Sequence, residues 1–262
     1  MERNSQNTLI LLFISYSTLA KTSFPARIYD AVHVEHSTMD THGKIEQDYY
    51  QALAYAEHIL AHTDLTQYDT HQLIALVKRI NSLVYPKGQG MFRTRELFVR
   101  NLIYNEGNPQ AAIHYLRKNG TDKDVDAYHS FMAKKGDKLT KEIVHLLDDN
   151  ERNMLKKIAL QPPPAHIVPQ LLSLMMQRVH NLLQHKADPF LIAAYALITL
   201  LYIHPFDDGN GRSSRIFMNC ILTHCNQKPI TFENMIEHIK IMRTNKVSVC
   251  RRYLKVLSTR QP

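Results

Sequence analysis

The chain has 262 residues, enough for one sizeable core with an elaboration, and its 44% apolar content is ordinary for a globular protein. Thirty-two Lys and Arg against 24 Asp and Glu leave a net charge of +8, which invites a nucleic-acid reading. Yet the basic residues are spread, their densest runs are pairs such as Lys134-Lys135, Lys156-Lys157 and Arg251-Arg252, and no nucleic-acid motif accompanies them, so specific nucleic-acid binding is excluded in favour of anionic ligands and acidic partners.

In chain order, residues 9–20 form a short apolar run ending in small residues, as the core of a cleaved leader would. Glu2 and Arg3 cancel ahead of it, so an element packing on the domain is preferred to a leader. A helix is expected over 49–60. Residues 118–124 read as a loop between two helical pieces, and 139–160 carry apolar residues at helical spacing. Pro162-Pro163-Pro164 opens a further helical stretch over 168–184. Residues 189–203 are apolar nearly all round, the pattern of a buried central helix, and too short for an integral membrane span. The apolar run 216–222 predicts another helix. Little strand signal is present, and the fold class expected is all-α. Cys220, Cys225 and Cys250 are odd in number and fall in helical contexts, which suggests reduced thiols and no disulfide framework. The 15 histidines are scattered, with surface or capping roles expected for them.

The stretch His204-Pro205-Phe206-Asp207-Asp208-Gly209-Asn210-Gly211-Arg212-Ser213-Ser214-Arg215 concentrates the chemistry. A nucleotide triphosphate needs donors for its oxygens, a divalent cation, and fixed positive charge where negative charge develops. Gly209 and Gly211 let the backbone approach an anion closely, and a helix starting after them would aim its unpaired N–H groups at the same place. Arg212 and Arg215, three apart, share one helical face near that end. Asp208 is a hard oxygen ligand of the kind Mg²⁺ takes alongside phosphate oxygens, and His204 can receive a proton near neutral pH. Each feature alone is commonplace in turns and capped loops; twelve residues holding all of them point to a nucleotide site.

This segment resembles the Fic family signature H-P-F-x-[DE]-G-N-G-R-x-x-R at every specified position, with Asp207 in the free slot. The order of proline run, helix, buried helix and signature is also typical of Fic domains, and Gly88-Gln89-Gly90-Met91-Phe92-Arg93 looks like the start of the family's flap. The resemblance implies a helical core over 65–245, a β-hairpin flap near 88–100 that holds the target segment through Met91, Phe92 and Arg93, and a helical insertion over about 101–160. It leaves 1–64 as an N-terminal extension, helical and regulatory, and 246–262 as a C-terminal tail. By resemblance His204 would be the general base and Phe206 a core anchor. Asp208 would hold Mg²⁺, Gly209, Asn210 and Gly211 would cradle the α- and β-phosphates with Arg212, and Arg215 would reach the terminal phosphate. The activity implied is transfer of AMP from ATP to a Tyr, Thr or Ser hydroxyl of a protein. Transfer of another nucleotide monophosphate such as UMP, and a nucleotide-binding module or toxin subunit without turnover, are the alternatives.

One family feature is missing. No Glu in the chain has Ser or Thr four positions before it, as the family's inhibitory helix requires, and Asp40 or Glu46 would have to substitute. An enzyme active without deliberate mutation, or restrained by another chain, is therefore expected. The resemblance is compatible with a protein of the cytoplasm or one delivered into a host cell.

Overall fold

A computed structural model describes residues 44–99, 104, 109–138, 140–232 and 235–260. The expectations placed on residues 9–20 and on Asp40 lie outside the described residues, as does the side chain of Glu46.

Helix α1 (Lys44–His62) extends the predicted 49–60 helix at both ends and buries Tyr49, Ala52, Leu53 and Ala56 on one face. Helix α2 (Thr70–Val84) begins at a complete capping box, in which the Asp69 carboxylate accepts the Gln72 N–H and the Gln72 side chain accepts the Asp69 N–H. Its buried positions Leu73, Leu76, Val77, Ile80, Asn81 and Val84 recur at helical spacing.

The insertion carries α3 (Pro109–Asn119), α4 (Asp122–Lys135), the single turn α5 (Thr140–Ile143) and α6 (Asp149–Ile158). The break at Gly120-Thr121 falls where the sequence places a loop, with Thr121 in a capping box with Asp124. By contrast, the apolar spacing over 139–160 does not make one helix. After α5 and a short turn, Asp148 takes extended geometry and accepts the Glu151 N–H, so a capped start interrupts the run. These elements enclose their own apolar cluster, including Tyr128, Phe131, Met154, Leu155 and Ile158. Glu151 is buried there. Desolvation pushes its pKa up, but hydrogen bonds from Lys134, Ser130 and the Asp148 N–H more than offset it and hold the carboxyl below its usual value.

The main core is closed by α7 (Val168–Gln184), α8 (Pro189–Ile203), α9 (Asn210–His224), α10 (Met235–Arg243) and α11 (Val247–Arg260). Helix α8 is apolar on all sides because it is central, packing on α7, α9 and α11, while α9 packs in turn on α1 and α2. Asp188 caps α8 by accepting the Leu191 N–H, and Pro189 follows at the first helical position. The stretch expected as a C-terminal tail is α11, whose Cys250, Tyr253, Leu254 and Leu257 join the main core. Arg251 and Lys255 on it reach the Asp188 carboxylate at 3.0 and 2.9 Å. No helix among the described residues is long and apolar enough to cross a membrane. Cys220 and Cys250 are free thiols, and burial pushes both up to about 12.

The expected all-α class holds, but the β-hairpin flap does not. Among the described residues the flap region forms no strand pair of its own; Phe92 makes an isolated bridge with Phe206, and Val99 makes one with Leu160. The physical reason lies in where its hydrogen bonds go. The Arg93 N–H donates to the Pro205 carbonyl at 2.9 Å, so at this point the segment takes its partner from the signature loop and not from a second flap strand.

Candidate functional site

The signature occupies the corner between α8 and α9. Helix α8 stops at His204, which caps it with φ 49 and ψ 59 and donates its N–H to the Leu200 carbonyl at 2.9 Å, while Pro205 prevents continuation. A non-glycine residue in this left-handed region is strained by about 1 kcal/mol, so the neighbourhood must hold it there. The holder is Arg93, whose Nε donates to the His204 carbonyl at 2.7 Å. The His204 Nδ1 faces the Leu201 carbonyl at a long 3.4 Å. A carbonyl only accepts, so that contact calls for a proton on Nδ1, and in the neutral ring the lone pair then lies on Nε2.

Beyond His204 the chain is fastened from inside. Phe206 is buried, and the Asn210 side chain grips both of its backbone groups, accepting the N–H at 3.0 Å and donating to the carbonyl at 2.8 Å. Asn210 thus serves the loop with its side chain and offers an incoming anion only its backbone. Gly209 is the N-cap of α9 at φ 76, a conformation that favours glycine. A Cβ there would also stand 2.9 Å from Asn81 Nδ2, so the position excludes side chains on two counts.

Helix α9 starts at Asn210, so the second half of the signature lies inside a helix and not in a loop ahead of one. Gly211 falls in its first turn, where N–H groups have no intrahelical partner and the dipole favours anions. Arg212 and Arg215 follow at 3% and 2% exposure, and side chains on a helix tilt toward its N-terminus. Arg212 is fixed by donating to the Val84 carbonyl at the end of α2 at 3.1 Å, and it lies 3.8 Å from Asp208 Oδ1. Asp208 Oδ1 accepts the Gly209 N–H at 2.6 Å, and the carboxylate stands 31% exposed at the lip. Its neighbour Asp207 faces outward, paired with Arg95 at 3.3 Å.

A single part-exposed carboxylate beside a helix N-terminus suits Mg²⁺, which takes one or two carboxylates and completes its shell with phosphate oxygens and water. Among the described residues there is no cluster of three or more His, Cys, Asp or Glu that would form an all-protein metal cage. His58 and His62 do stand four apart on α1, with ring centroids 4.4 Å apart, but no third ligand joins them among the described residues.

The structure brings His204, Asp208, Gly209, Asn210, Gly211, Arg212 and Arg215 to one corner, as the sequence implies. It separates the three flap residues from each other in role. Met91 is 65% exposed, Phe92 packs on Phe206 with ring centroids 6.0 Å apart, and Arg93 is buried. Arg93 gives its guanidinium to the carbonyls of His204, Ile203, Arg95 and Pro163, so it braces the corner and offers a target nothing.

Sequence reasoning missed Asn81. Its Nδ2 donates to the Asp208 carbonyl at 2.9 Å and to Ser213 Oγ at 3.1 Å, tying α2 to both sides of Gly209. The signal was present: Asn81 sits within the apolar stripe of α2, where an amide is buried only at a cost unless it is bonded.

Comparison with known proteins identifies the family. The model of the Fic/DOC family matches residues 67–222, which include the whole signature. Protein adenylyltransferase Fic of Drosophila persimilis is 44% identical over 63 residues, 22% of this chain and 12% of that protein. A probable protein adenylyltransferase of Aquifex aeolicus is 32% identical over 84 residues, 31% of this chain and 25% of that protein. The chain therefore aligns with only a quarter or less of the length of these relatives. A solved structure described as a Fic domain containing signaling protein from Bacteroides thetaiotaomicron shares the fold, with a TM-score of 0.53 and 12% identity over 83% of this chain and 69% of that one. Because the family model covers more than half of the 262 residues, with the signature corner inside it, the chain belongs to the Fic/DOC family.

Proposed function

We propose that the protein transfers the AMP moiety of ATP to a hydroxyl of a target protein. The observation that carries this reading is the corner itself, where a strained, anchored histidine ends one helix just ahead of the glycine-capped N-terminus of the next, which carries two buried arginines in its first turns. A phosphate binder has no need of a base; the histidine supplies what an attacking hydroxyl requires.

In this reading the backbone N–H groups of Asn210 and Gly211 bind α- and β-phosphate oxygens, and Arg212 sets its charge beside them. Arg215 neutralises the far end of the triphosphate. Asp208 holds Mg²⁺, which when bound offsets charge on the phosphates. His204 accepts the proton of the target hydroxyl at Nε2 as its oxygen attacks the α-phosphorus, and pyrophosphate departs. Positioning supplies most of the acceleration, so the bonds that fix His204 and Gly209 belong to the chemistry as much as to the fold. The adenylyltransferase names of the two relatives support the choice of ATP as donor.

The test uses ATP labelled at the α- or the γ-phosphate, with Mg²⁺, the protein and a cell lysate. Protein-bound label from α-labelled ATP alone, absent in His204→Ala, supports the reading. Label from UTP in place of ATP changes the donor. No transfer from any nucleotide, with ATP still bound, replaces the transferase with a nucleotide-binding module.

A further inference from the structure

A second cationic feature lies on the solvent side of α2. An open cleft of about 400 Å³ is lined by Lys78, Arg79, Ser82, Pro86 and Gln89. Helical periodicity aims these α2 side chains outward while Leu76, Val77, Ile80 and Asn81 turn in. Among the described residues neither cation is paired with a carboxylate. Lys78 Nζ lies 5.0 Å from the Phe92 ring centroid, and the Arg79 guanidinium lies 5.7 Å from that of Tyr55 and donates to Ser82 Oγ at 3.5 Å.

The opposite wall is set rigidly. Gln89 and Gly90 are successive left-handed residues, with φ 50 and 67, and a Cβ on Gly90 would stand 2.3 Å from the Lys78 carbonyl. Only glycine lets this turn press so closely on α2. The cleft is also joined to the signature corner. Phe92, over which Lys78 sits, bridges Phe206, and Asn81, one helical turn beyond Lys78, holds the Asp208 carbonyl.

We infer that this cleft docks an acidic stretch of the protein substrate, taking one or two Asp or Glu side chains near the accepting hydroxyl. The inference rests on the transferase reading of the signature corner and adds to it the chemistry of the substrate. Arg79 presents a planar fork suited to a carboxylate and Lys78 a point charge beside it. The cleft is open to solvent along its length, which suits a passing chain better than an enclosed small anion. Met91, two residues beyond Gln89 and 65% exposed, offers that chain an apolar contact. The net charge of +8 steers acidic partners toward the molecule as a whole.

The experiment measures fluorescence anisotropy of two labelled peptides on the full chain at low salt. One carries consecutive glutamates followed by Gly and Tyr, and the other has glutamine at each acidic position. The wild type is expected to bind the acidic peptide about tenfold more tightly, and the Lys78→Gln/Arg79→Gln variant to lose that preference. Arg79→Gln alone, which leaves the Lys78 contact with Phe92 in place, loses part of it. Equal affinity of the wild type for both peptides, or an unchanged preference in the double variant, overturns the inference. So does displacement of the acidic peptide by micromolar inorganic tripolyphosphate, which assigns the cleft to a small anion. ATP binding by calorimetry stays unchanged in every variant. Because peptide binding needs no turnover, a charge-selective protein that transfers nothing defeats only the transferase reading, and an active transferase without selectivity defeats only this one.

Discussion

Asn81 and Asp208 lie 127 positions apart, yet the Asn81 amide donates to the Asp208 carbonyl at 2.9 Å and so fixes the peptide that enters Gly209. The same amide reaches Ser213 in α9, and Arg212 returns the connection by donating to Val84 at the end of α2. Replacing Asn81 by Ala removes two bonds, to residues on either side of Gly209. The expected cost is about 1–2 kcal/mol of stability, moderated because the buried Asn81 Oδ1 has no partner to lose. ATP affinity should fall about tenfold as the Gly209 peptide loosens, a change of about 1.4 kcal/mol. Thermal unfolding and calorimetric titration with ATP measure the two effects, and unchanged ATP affinity would show that Asn81 serves the fold alone.

Gly209→Ala puts a methyl group into a left-handed conformation and against Asn81 Nδ2 at 2.9 Å. We expect about 1–3 kcal/mol of destabilisation and loss of measurable ATP binding, since relief of the contact displaces the start of α9. A folded variant that binds ATP as the wild type does would show that the cradle tolerates the shift.

Arg93 is the brace most exposed to a conservative change. Burial pushes its pKa down and the nearby Asp207 charge offsets part of that effect, but the guanidinium stays charged at any working pH. Arg93→Lys keeps the charge and loses the fork that serves four carbonyls. The expected penalty is about 2–4 kcal/mol in chemical unfolding, with transfer activity reduced more than ATP affinity because His204 loses its anchor. Equal loss of both would remove the special link to His204.

Acid should release α11 from α8. Burial alone would raise the Asp188 carboxyl, but Arg251, Lys255 and the Leu191 N–H pull it down to about 2. Against an unfolded value of about 3.9, this is a depressed carboxylate: its stabilisation is complete above pH ~4 and disappears as pH falls through 2. After allowance for solvent, the contribution is about 1–2 kcal/mol. Asp188→Asn should lose that amount at pH 7 and match the wild type near pH 2, as followed by urea unfolding at both values. Equal differences at both would place the stabilisation in capping alone.

Much of the site was legible along the chain because its parts are local. His204 to Arg215 lie within one corner, and helix geometry by itself brings a glycine cap, free N–H groups and arginines three apart to the same end. Helices α7 and α8 were equally legible, since a proline-led start and an apolar pattern are properties of contiguous residues. The long apolar stretch at 139–160 misled because spacing alone does not register a capped restart at Asp148.

Tertiary structure decided the assignments that depend on residues far apart in sequence. Arg93 reads as a residue for a target, but α8 and the proline run surround it with carbonyls and make it a brace. The segment near 88–100 reads as a hairpin, but the Arg93 N–H goes to Pro205 of the signature loop and Val99 exchanges its backbone bonds with Leu160. Asn81 is one polar residue in an apolar stripe until α9 packs against α2 and gives its amide something to hold. Local pattern determined which residues could build a phosphate corner; only packing, which pairs groups that no spacing rule connects, determined what holds that corner in shape.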